Sequence, residues 1–518
     1  MADILLTTLN ARYSHASLGL RYLHANLGAR RDDAQIIEFV LGVKAEVAVE
    51  RILATGPRVV GFGVYIWNVE ETTRIVAILK TVAPHVKVVL GGPEVSYETE
   101  AQRICALADH VVTGWGEVTF AHLVNAILDG PRPLMKVHAG VQPPLDSLVM
   151  PYDLYDASDI AQRNLYVEAS RGCPFKCEFC LSALDKTAWP FDLALFLGHM
   201  DALYRRGARV FRFVDRTFNL NPRTGRAILD FFLARIEAAP EDPCFVHFEV
   251  VPDHLPDVLK ESIKRFPAGT LQFEIGIQTF DPEVQARISR RQDNERAAAN
   301  IRWLREHSCA HLHVDLIAGL PGEDLASFAR GFDTLCDLGP HEIQVGVLKR
   351  LRGTPIIRHS EAYAMRYNPD PPYNVLATGA IGFEDMQRIG RFARYWDLIA
   401  NSGRFAATLP WLLDRQAGSR FARFMRLADW LYARDGQTHG IAMERLFRLV
   451  GEHLVDALGL PAGEVGASLK KDYMATGGKG SFEFAGTTVS ATQAVTRLPR
   501  RQARHAAARG SGAAPRPA

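Results

Sequence analysis

At 518 residues, with 47% hydrophobic and 23% charged residues, the chain has the make-up of a globular protein long enough for about three domains. No run of 18 or more apolar residues occurs, and Met1-Ala-Asp3 leads straight into a strand pattern without a charged and apolar leader, so a cytoplasmic protein with no membrane partner is expected. The net charge of +2 is uneven: residues 491–518 hold six arginines (Arg497, Arg500, Arg501, Arg504, Arg509, Arg516) and no acid, which leaves −4 for the rest. No aromatic residue interleaves with these arginines, so the segment reads as a disordered, solubilising tail, and no specific nucleic-acid partner is indicated.

In chain order, residues 4–9, 34–40, 59–65, 87–90 and 110–113 read as strands, and 18–27, 45–55, 69–82, 101–108 and 117–128 as helices. This alternation predicts a Rossmann-like, doubly wound parallel sheet over residues 1–140, with ligands beyond the carboxyl ends of its strands. Glycines crowd several of those ends: Gly61 and Gly63, Gly91-Gly92, and Gly114-Trp115-Gly116-Glu117. The absence of a side chain there lets backbone approach a ligand. Residues 141–164, rich in Pro and Asp, read as a linker.

From residue 165 the alternation resumes, with strands at 165–169, 210–215, 244–251, 270–278, 311–317 and 342–348 and helices between them at 193–206, 223–237, 255–265, 294–307 and 325–338. Six βα units over residues 165–355 predict a partial (β/α)6 barrel with its chemistry at the carboxyl ends of the strands. Beyond 355 the strands are expected to stop. Residues 379–401 and 404–460 read as helices of an α-helical region spanning 356–490, and their Arg and aromatic residues fit a core with a solvated face better than an RNA surface.

The most informative segment follows the first barrel strand: Ser170-Arg-Gly172-Cys173-Pro-Phe-Lys-Cys177-Glu-Phe179-Cys180. Gly172 and Pro174 bracket the first thiol and oppose a helix, so the three cysteines belong to a loop. Three soft thiolates on one loop suit an iron–sulfur cluster or zinc. Zinc wants a fourth nearby ligand, and Cys244 is distant along the chain. With seven cysteines, three of them clustered, a metal site in a reducing compartment fits better than a disulfide framework.

This CxxxCxxC loop, with an aromatic residue before the third thiol, resembles that of the radical S-adenosylmethionine (SAM) enzymes. The resemblance implies that Cys173, Cys177 and Cys180 hold a 4Fe–4S cluster whose fourth iron chelates SAM, and that an external flavodoxin- or ferredoxin-type donor supplies the electron. Further segments resemble the cofactor-facing strand ends of that family: Phe213-Val-Asp215-Arg-Thr-Phe218-Asn219, Glu274-Ile-Gly276-Ile-Gln278-Thr279, Asp315-Leu-Ile317-Ala-Gly319-Leu-Pro321-Gly322, and Val347-Leu348-Lys349 with Gly353-Thr354-Pro355. They imply a SAM site built from Phe179, Asp215, Gln278, Ile317, Gly319 and Leu348.

The amino-terminal sheet resembles the cobalamin-binding domain of one large branch of these enzymes. The residues implied at the corrinoid are Tyr13, Gly63, Tyr65, Trp67, Gly91, Gly92, Glu94, Gly114, Gly116 and Glu117. The loop Asn10-Ala-Arg-Tyr13-Ser-His15-Ala-Ser-Leu-Gly19 lacks the Asp-x-His-x-x-Gly pattern whose histidine ligates cobalt. His15 therefore reads as a satisfied loop residue, and the lower cobalt face is expected to lack a protein histidine. The carboxyl-terminal region resembles an uncharacterised extension of a subgroup of the same family. Together these features imply a cobalamin-dependent radical SAM methyltransferase acting on an unactivated carbon through a 5′-deoxyadenosyl radical. A rearrangement such as cyclisation or ring contraction is the second reading, and a corrinoid or redox sensor without turnover the third. Neither the substrate nor a catalytic side chain is indicated.

Overall fold

The computed structural model describes residues 2–131, 133–414, 418–477, 480–490 and 504–505. It divides into two compact units, one of residues 1–249, 349–358 and 367–374 and the other of residues 250–348, 359–366 and 375–518. The expected disordered tail lies outside the described residues apart from Arg504 and His505.

The first unit begins with β1 (Ile4–Asn10), α1 (Leu18–Ala25), β2 (Ala34–Val40), α2 (Ala45–Leu53), β3 (Val59–Gly63), α3 (Val69–Val82), β4 (Lys87–Gly91), α4 (Arg103–Leu107), β5 (His110–Thr113), α5 (Glu117–Asp129) and β6 (Val137–Ala139). The strands form one parallel sheet in the order β2-β1-β3-β4-β5-β6. Successive side chains of a strand face opposite sides, so the wholly buried run of β1 feeds two cores. Leu5 and Leu9 join Val60, Phe62, Ile75 and Leu79 on one side. Ile4 and Leu6 join Leu20, Val112, Phe120 and Val124 on the other. The strand order reverses between β1 and β3, the switch point at which doubly wound folds bind ligands. Strand β6 was not anticipated, because three residues at a sheet edge are too few to carry an alternating pattern.

Residues 141–164 are folded rather than extended. Tyr152 and Tyr155 are fully buried, their hydroxyls hydrogen-bonded to the carbonyl oxygens of Glu168 (3.1 Å) and Tyr166 (2.7 Å), and Asp156 caps the short helix α6 (Ala157–Gln162). The Pro and Asp residues that suggested a linker form the turns between these anchors.

Next come β7 (Leu165–Val167), the antiparallel pair β8 (Ser170–Arg171) and β9 (Trp189–Pro190), α7 (Leu193–Arg205), β10 (Val210–Phe213), α8 (Pro222–Ala238) and β11 (Phe245–Val250). Phe213, Phe218 and Phe248 pack tightly here, with ring centroids 4.4 Å apart for Phe213–Phe248 and 3.8 Å for Phe218–Phe248. The second unit continues with α9 (Asp257–Ile263), β12 (Leu271–Gln278), α10 (Pro282–Arg287), α11 (Asn294–His307), β13 (His311–Ala318), α12 (Leu325–Leu338) and β14 (Glu342–Val347). Within the first unit β11, β10 and β7 pair in parallel, in that order, and within the second β14, β13 and β12 do the same.

Strands do not end at residue 355, contrary to expectation: β15 (Arg366–Tyr367), β16 (Val375–Ala377) and the hairpin β17 (Ser481–Phe484)–β18 (Thr487–Ser490) follow. All are too short for periodicity to reveal. The helices between are α13 (Phe383–Ile399), α14 (Leu409–Leu412), α15 (Arg420–Asp435), α16 (Met443–Glu452) and α17 (Ala462–Ala475). Phe392 and Trp396 of α13 pack on Phe421 and Phe424 of α15 and on Phe332 of α12, which is the structural use of the Arg/aromatic runs. No described helix is long and apolar enough to cross a membrane.

Candidate cobalamin cavity and cysteine loop

Beyond the carboxyl ends of β1, β3, β4 and β5 lies an apolar cavity of about 670 Å³. Gly63, Tyr65, Trp67, Gly91, Gly92, Gly114, Gly116 and Glu117 line it, eight of the ten residues assigned from sequence. The other two do not. Tyr13 is turned beneath the Arg163 guanidinium, 4.8 Å from its ring centroid, with its hydroxyl on Gln162. Glu94 is buried and binds Arg352 (2.9 Å) and the Tyr373 hydroxyl (2.7 Å).

The glycines are what make the space. A Cβ on Gly91 would meet only the Val112 carbonyl oxygen at 3.8 Å, and one on Gly114 nothing within 4 Å, so side chains there would project into the cavity. Gly114 also has φ +67°, and Gly92, at φ +111°, would set a Cβ 2.5 Å from the Val64 carbonyl oxygen. Asn68, fully buried, fixes the loop after β3: its amide donates to Thr8 Oγ1 and to the Leu9 and Gly63 carbonyls at 3.0–3.2 Å, and it accepts from the Tyr65 N–H at 2.8 Å. Tyr65 and Trp67 leave this loop stacked, 4.4 Å between centroids and 7° from parallel. The loop after β1 is held by Glu38, which accepts from Asn10 (3.0 Å), the Ser17 N–H (2.5 Å), Arg21 (3.1 Å) and Arg163 (2.6 Å). Burial would raise the Glu38 pKa, but Arg21, Asn10 and the remaining donors outweigh it and hold the carboxyl below its ordinary value. His15 also lines the cavity, its Nδ1 2.5 Å from the Tyr166 hydroxyl. Burial, then Arg212 and Arg12, lower its pKa, so the ring is neutral at pH 7.

Arg171 lines the same cavity and immediately precedes the cysteine loop. It binds Glu117 at 2.7 Å and Glu168 at 2.6 Å, between the rings of Trp115 and Tyr22, each 4.7 Å from the guanidinium carbon. Burial opposes its charge, yet Glu168 and Glu117 more than compensate and raise its pKa. Sequence reasoning passed over Arg171, Glu168 and Tyr166. The only local signal was an arginine abutting the cysteine motif.

In the loop itself Gly172 has φ +94°, and a Cβ there would lie 2.4 Å from Thr187 Oγ1 and 2.7 Å from the Ala188 nitrogen. The Cys173 N–H donates to the Asp185 carbonyl (2.9 Å), and Cys180 N–H to the Cys177 carbonyl (3.1 Å). Glu178, nearly fully buried, ties the loop to Ile356 N–H (3.0 Å, through its carbonyl) and to the Arg358 guanidinium. Burial above all, with the Cys180 and Cys177 thiols adding to it, pushes the Cys173 thiol up to about 11, which places all three within electrostatic reach of one another. Among the described residues no group of three or more His, Cys, Asp and Glu side chains is arranged to hold a single metal ion. Three thiols with no companion histidine or carboxylate among the described residues fit an iron–sulfur cluster better than zinc. Cys244 is buried elsewhere, immediately before the strand that begins at Phe245.

Of the residues assigned to SAM, Phe179 and Asp215 lie in the first unit. Asp215 accepts from the Ala169 N–H (3.0 Å) and Ser170 Oγ (2.6 Å), just before the cysteine loop. Burial pushes its carboxyl up to about 7 against those hydrogen bonds. In the second unit Gln278 has φ +69°, and its buried Oε1 has no hydrogen-bond partner among the described residues, an acceptor suited to a ribose hydroxyl. Gly319 (φ +84°) would set a Cβ 2.5 Å from Val375 Cγ1. Ile317 is half-buried, and Leu348 is buried with its N–H on Ala318 O (2.9 Å) and its carbonyl accepting from Val375 N–H (2.8 Å).

Residues 4–124 match the B12 binding domain, 167–335 the radical SAM superfamily, and 361–495 a protein family of unknown function, DUF4080. The chain is similar to the uncharacterized methyltransferase PH0819 of Pyrococcus horikoshii, 31% identical over 32% of this chain and 41% of that one. It is similar to the cobalamin-dependent radical SAM methyltransferase TokK of Streptomyces tokunonensis, 26% identical over 80% of this chain and 67% of that one. The match thus spans under half of the first relative's length and about two thirds of the second's. Among solved structures it shares the fold of the radical SAM methyltransferase TsrM from Kitasatospora setae (TM-score 0.55, 17% identity, 71% of this chain and 79% of that one). The chain thus carries a B12 binding domain at residues 4–124 followed by a radical SAM domain at residues 167–335, the domain pair of radical SAM enzymes with an amino-terminal cobalamin-binding domain.

Proposed function

We propose that this protein is a cobalamin-dependent radical SAM methyltransferase that methylates an unactivated carbon. The observation that carries the reading is the placement of Arg171, which lines the cavity at the B12-type sheet and leads directly into the cysteine loop. One compact unit then holds both the cavity and the thiols.

When bound, the 4Fe–4S cluster, SAM and cobalamin supply radical generation and methyl carriage. The chain supplies position and exclusion of water. Cys173, Cys177 and Cys180 would hold the cluster as thiolates, so its assembly releases their protons, against the burial that favours the neutral thiol at Cys173. Gly91, Gly92, Gly114 and Gly116 would admit the corrinoid against the strand ends, with Tyr65 and Trp67 as an aromatic wall. Arg171, caged by Glu117 and Glu168, holds the approach to Cys173 fixed relative to that wall. Asp215 would orient SAM through its polar groups, and an external one-electron donor of flavodoxin or ferredoxin type would complete the system.

The test uses SAM labelled at its methyl carbon with anaerobically reconstituted, reduced protein. Transfer of label to the corrinoid, and from it to a carbon of an acceptor, is the expected result. Formation of 5′-deoxyadenosine with no label transferred would replace methyl transfer by a rearrangement.

A further inference from the structure

The second unit contains an open cavity of about 720 Å³, lined by His313 of β13 and Gln344 of β14, by Gln387, Arg391 and Arg394 of α13, and by Tyr432 of α15. Most of the charge around it is already matched. Arg394 donates to the Thr438 carbonyl (3.2 Å) and faces Asp397 at 3.5 Å. His313 lies 3.4 Å from Asp315 and 3.5 Å from Glu342; burial opposes its protonation, but Asp315, Glu342 and Glu274 push its pKa up to about 9. The protonated ring donates to Gln344 Oε1 (3.1 Å), which leaves the Gln344 amide NH2 as a donor in the cavity.

Arg391 is different. Its guanidinium lies on the Tyr432 ring, 4.4 Å from the centroid, which fixes its plane. It forms no ion pair with a described residue, and its Nε is closed to solvent without a hydrogen-bond partner among the described residues. A cation partly withdrawn from water beside an open cavity is stabilised by an anion that enters the cavity.

We propose that this cavity binds a small molecule bearing a carboxylate or phosphate, whose oxygens pair with Arg391 and accept from the Gln344 amide. The site lies outside every residue assigned to the cluster, SAM or cobalamin, and within the sheet and helices of the second unit.

Calorimetric titration of the full reconstituted chain with inorganic phosphate and, separately, with propionate tests it. Binding of at least one of them at a single site is expected; phosphate alone marks a phosphorylated ligand and propionate alone a carboxylic acid. Arg391→Gln should weaken that binding about tenfold or more. Gln387→Glu, which sets a fixed carboxylate among the donors, should do the same by a different route, so the result does not depend on one variant folding. Failure of both anions to bind at millimolar concentration, or unaltered affinity in a folded variant, would overturn the assignment.

Discussion

Arg171 is the residue on which the most interactions of the candidate site converge, and its neighbours define what its loss would do. Glu117 and Glu168 are each 7% exposed and both depend on this one guanidinium. Removing the cation leaves two buried carboxylates unmatched, so Arg171→Gln should destabilise the protein by about 3–5 kcal/mol and lower its affinity for hydroxocobalamin. Thermal unfolding and absorbance titration would check this, and a variant as stable as the parent would contradict it. Gly172→Ala forces a Cβ to 2.4 Å from Thr187 Oγ1 at a φ of +94°. A cost of about 1–3 kcal/mol and a reduced iron content after reconstitution are expected, measured by denaturant unfolding and iron analysis. Glu323 supplies a pH dependence. It is 2% exposed, bonded through Oε1 to Thr279 at 2.6 Å, and burial, with Asp281 and Asp324 adding to it, raises its pKa to about 8. A folded pKa above the unfolded one means that the native state keeps a proton the unfolded chain releases. Its contribution to stability is therefore present at low pH and lost as pH rises toward about 8. For one carboxyl the slope reaches at most about 1.4 kcal/mol per pH unit. Glu323→Gln should flatten the stability profile between pH 5 and 8 in urea unfolding; an unchanged slope would refute the assignment.

Among the elements, the helix pair α13–α15 shows how pattern became packing. Phe392 and Trp396 stand four apart on α13 and so share a face, and Phe421 and Phe424 stand three apart on α15. The arginines between them, Arg394 and Arg423, bond to backbone carbonyls instead, and Arg391, just before Phe392, meets Tyr432 beside the cavity. Phe392→Ala should cost about 3–5 kcal/mol, read as a lower unfolding midpoint, because the fully buried ring contacts four aromatic neighbours. The long elements were readable from sequence for the same reason: residues 34–40, 69–82, 294–307 and 325–338 carry enough periods to identify their type, and they are observed with those bounds. Strands β6, β15 and β16, with two or three residues each, carry less than two periods and left no such signal. Their formation depends on partners that only the fold supplies.

On the scale of the whole molecule, glycine-ended strands and the cysteine spacing pointed to the cavity and the loop because both features are local. The partners that complete them are not. Glu94 meets Arg352 across 258 residues, and Arg171 meets Glu117 across 54, distances over which a single sequence shows no pairing. Tyr13 was misplaced for the same reason: the Arg163 that draws it away belongs to a segment read as a linker. The division into units at residue 249, inside the second βα array, likewise follows contacts rather than composition. On the function proposed above, the cysteine loop and the cavity at the amino-terminal sheet act as one SAM-dependent radical site. The most direct measurement is mass-spectrometric quantification of 5′-deoxyadenosine and S-adenosylhomocysteine from anaerobic, reduced protein loaded with iron–sulfur cluster, SAM and cobalamin. Both products are predicted from the parent chain, with S-adenosylhomocysteine dependent on cobalamin and deoxyadenosine lost in Cys177→Ala; neither product from fully loaded protein, or full activity in Cys177→Ala, would contradict the account.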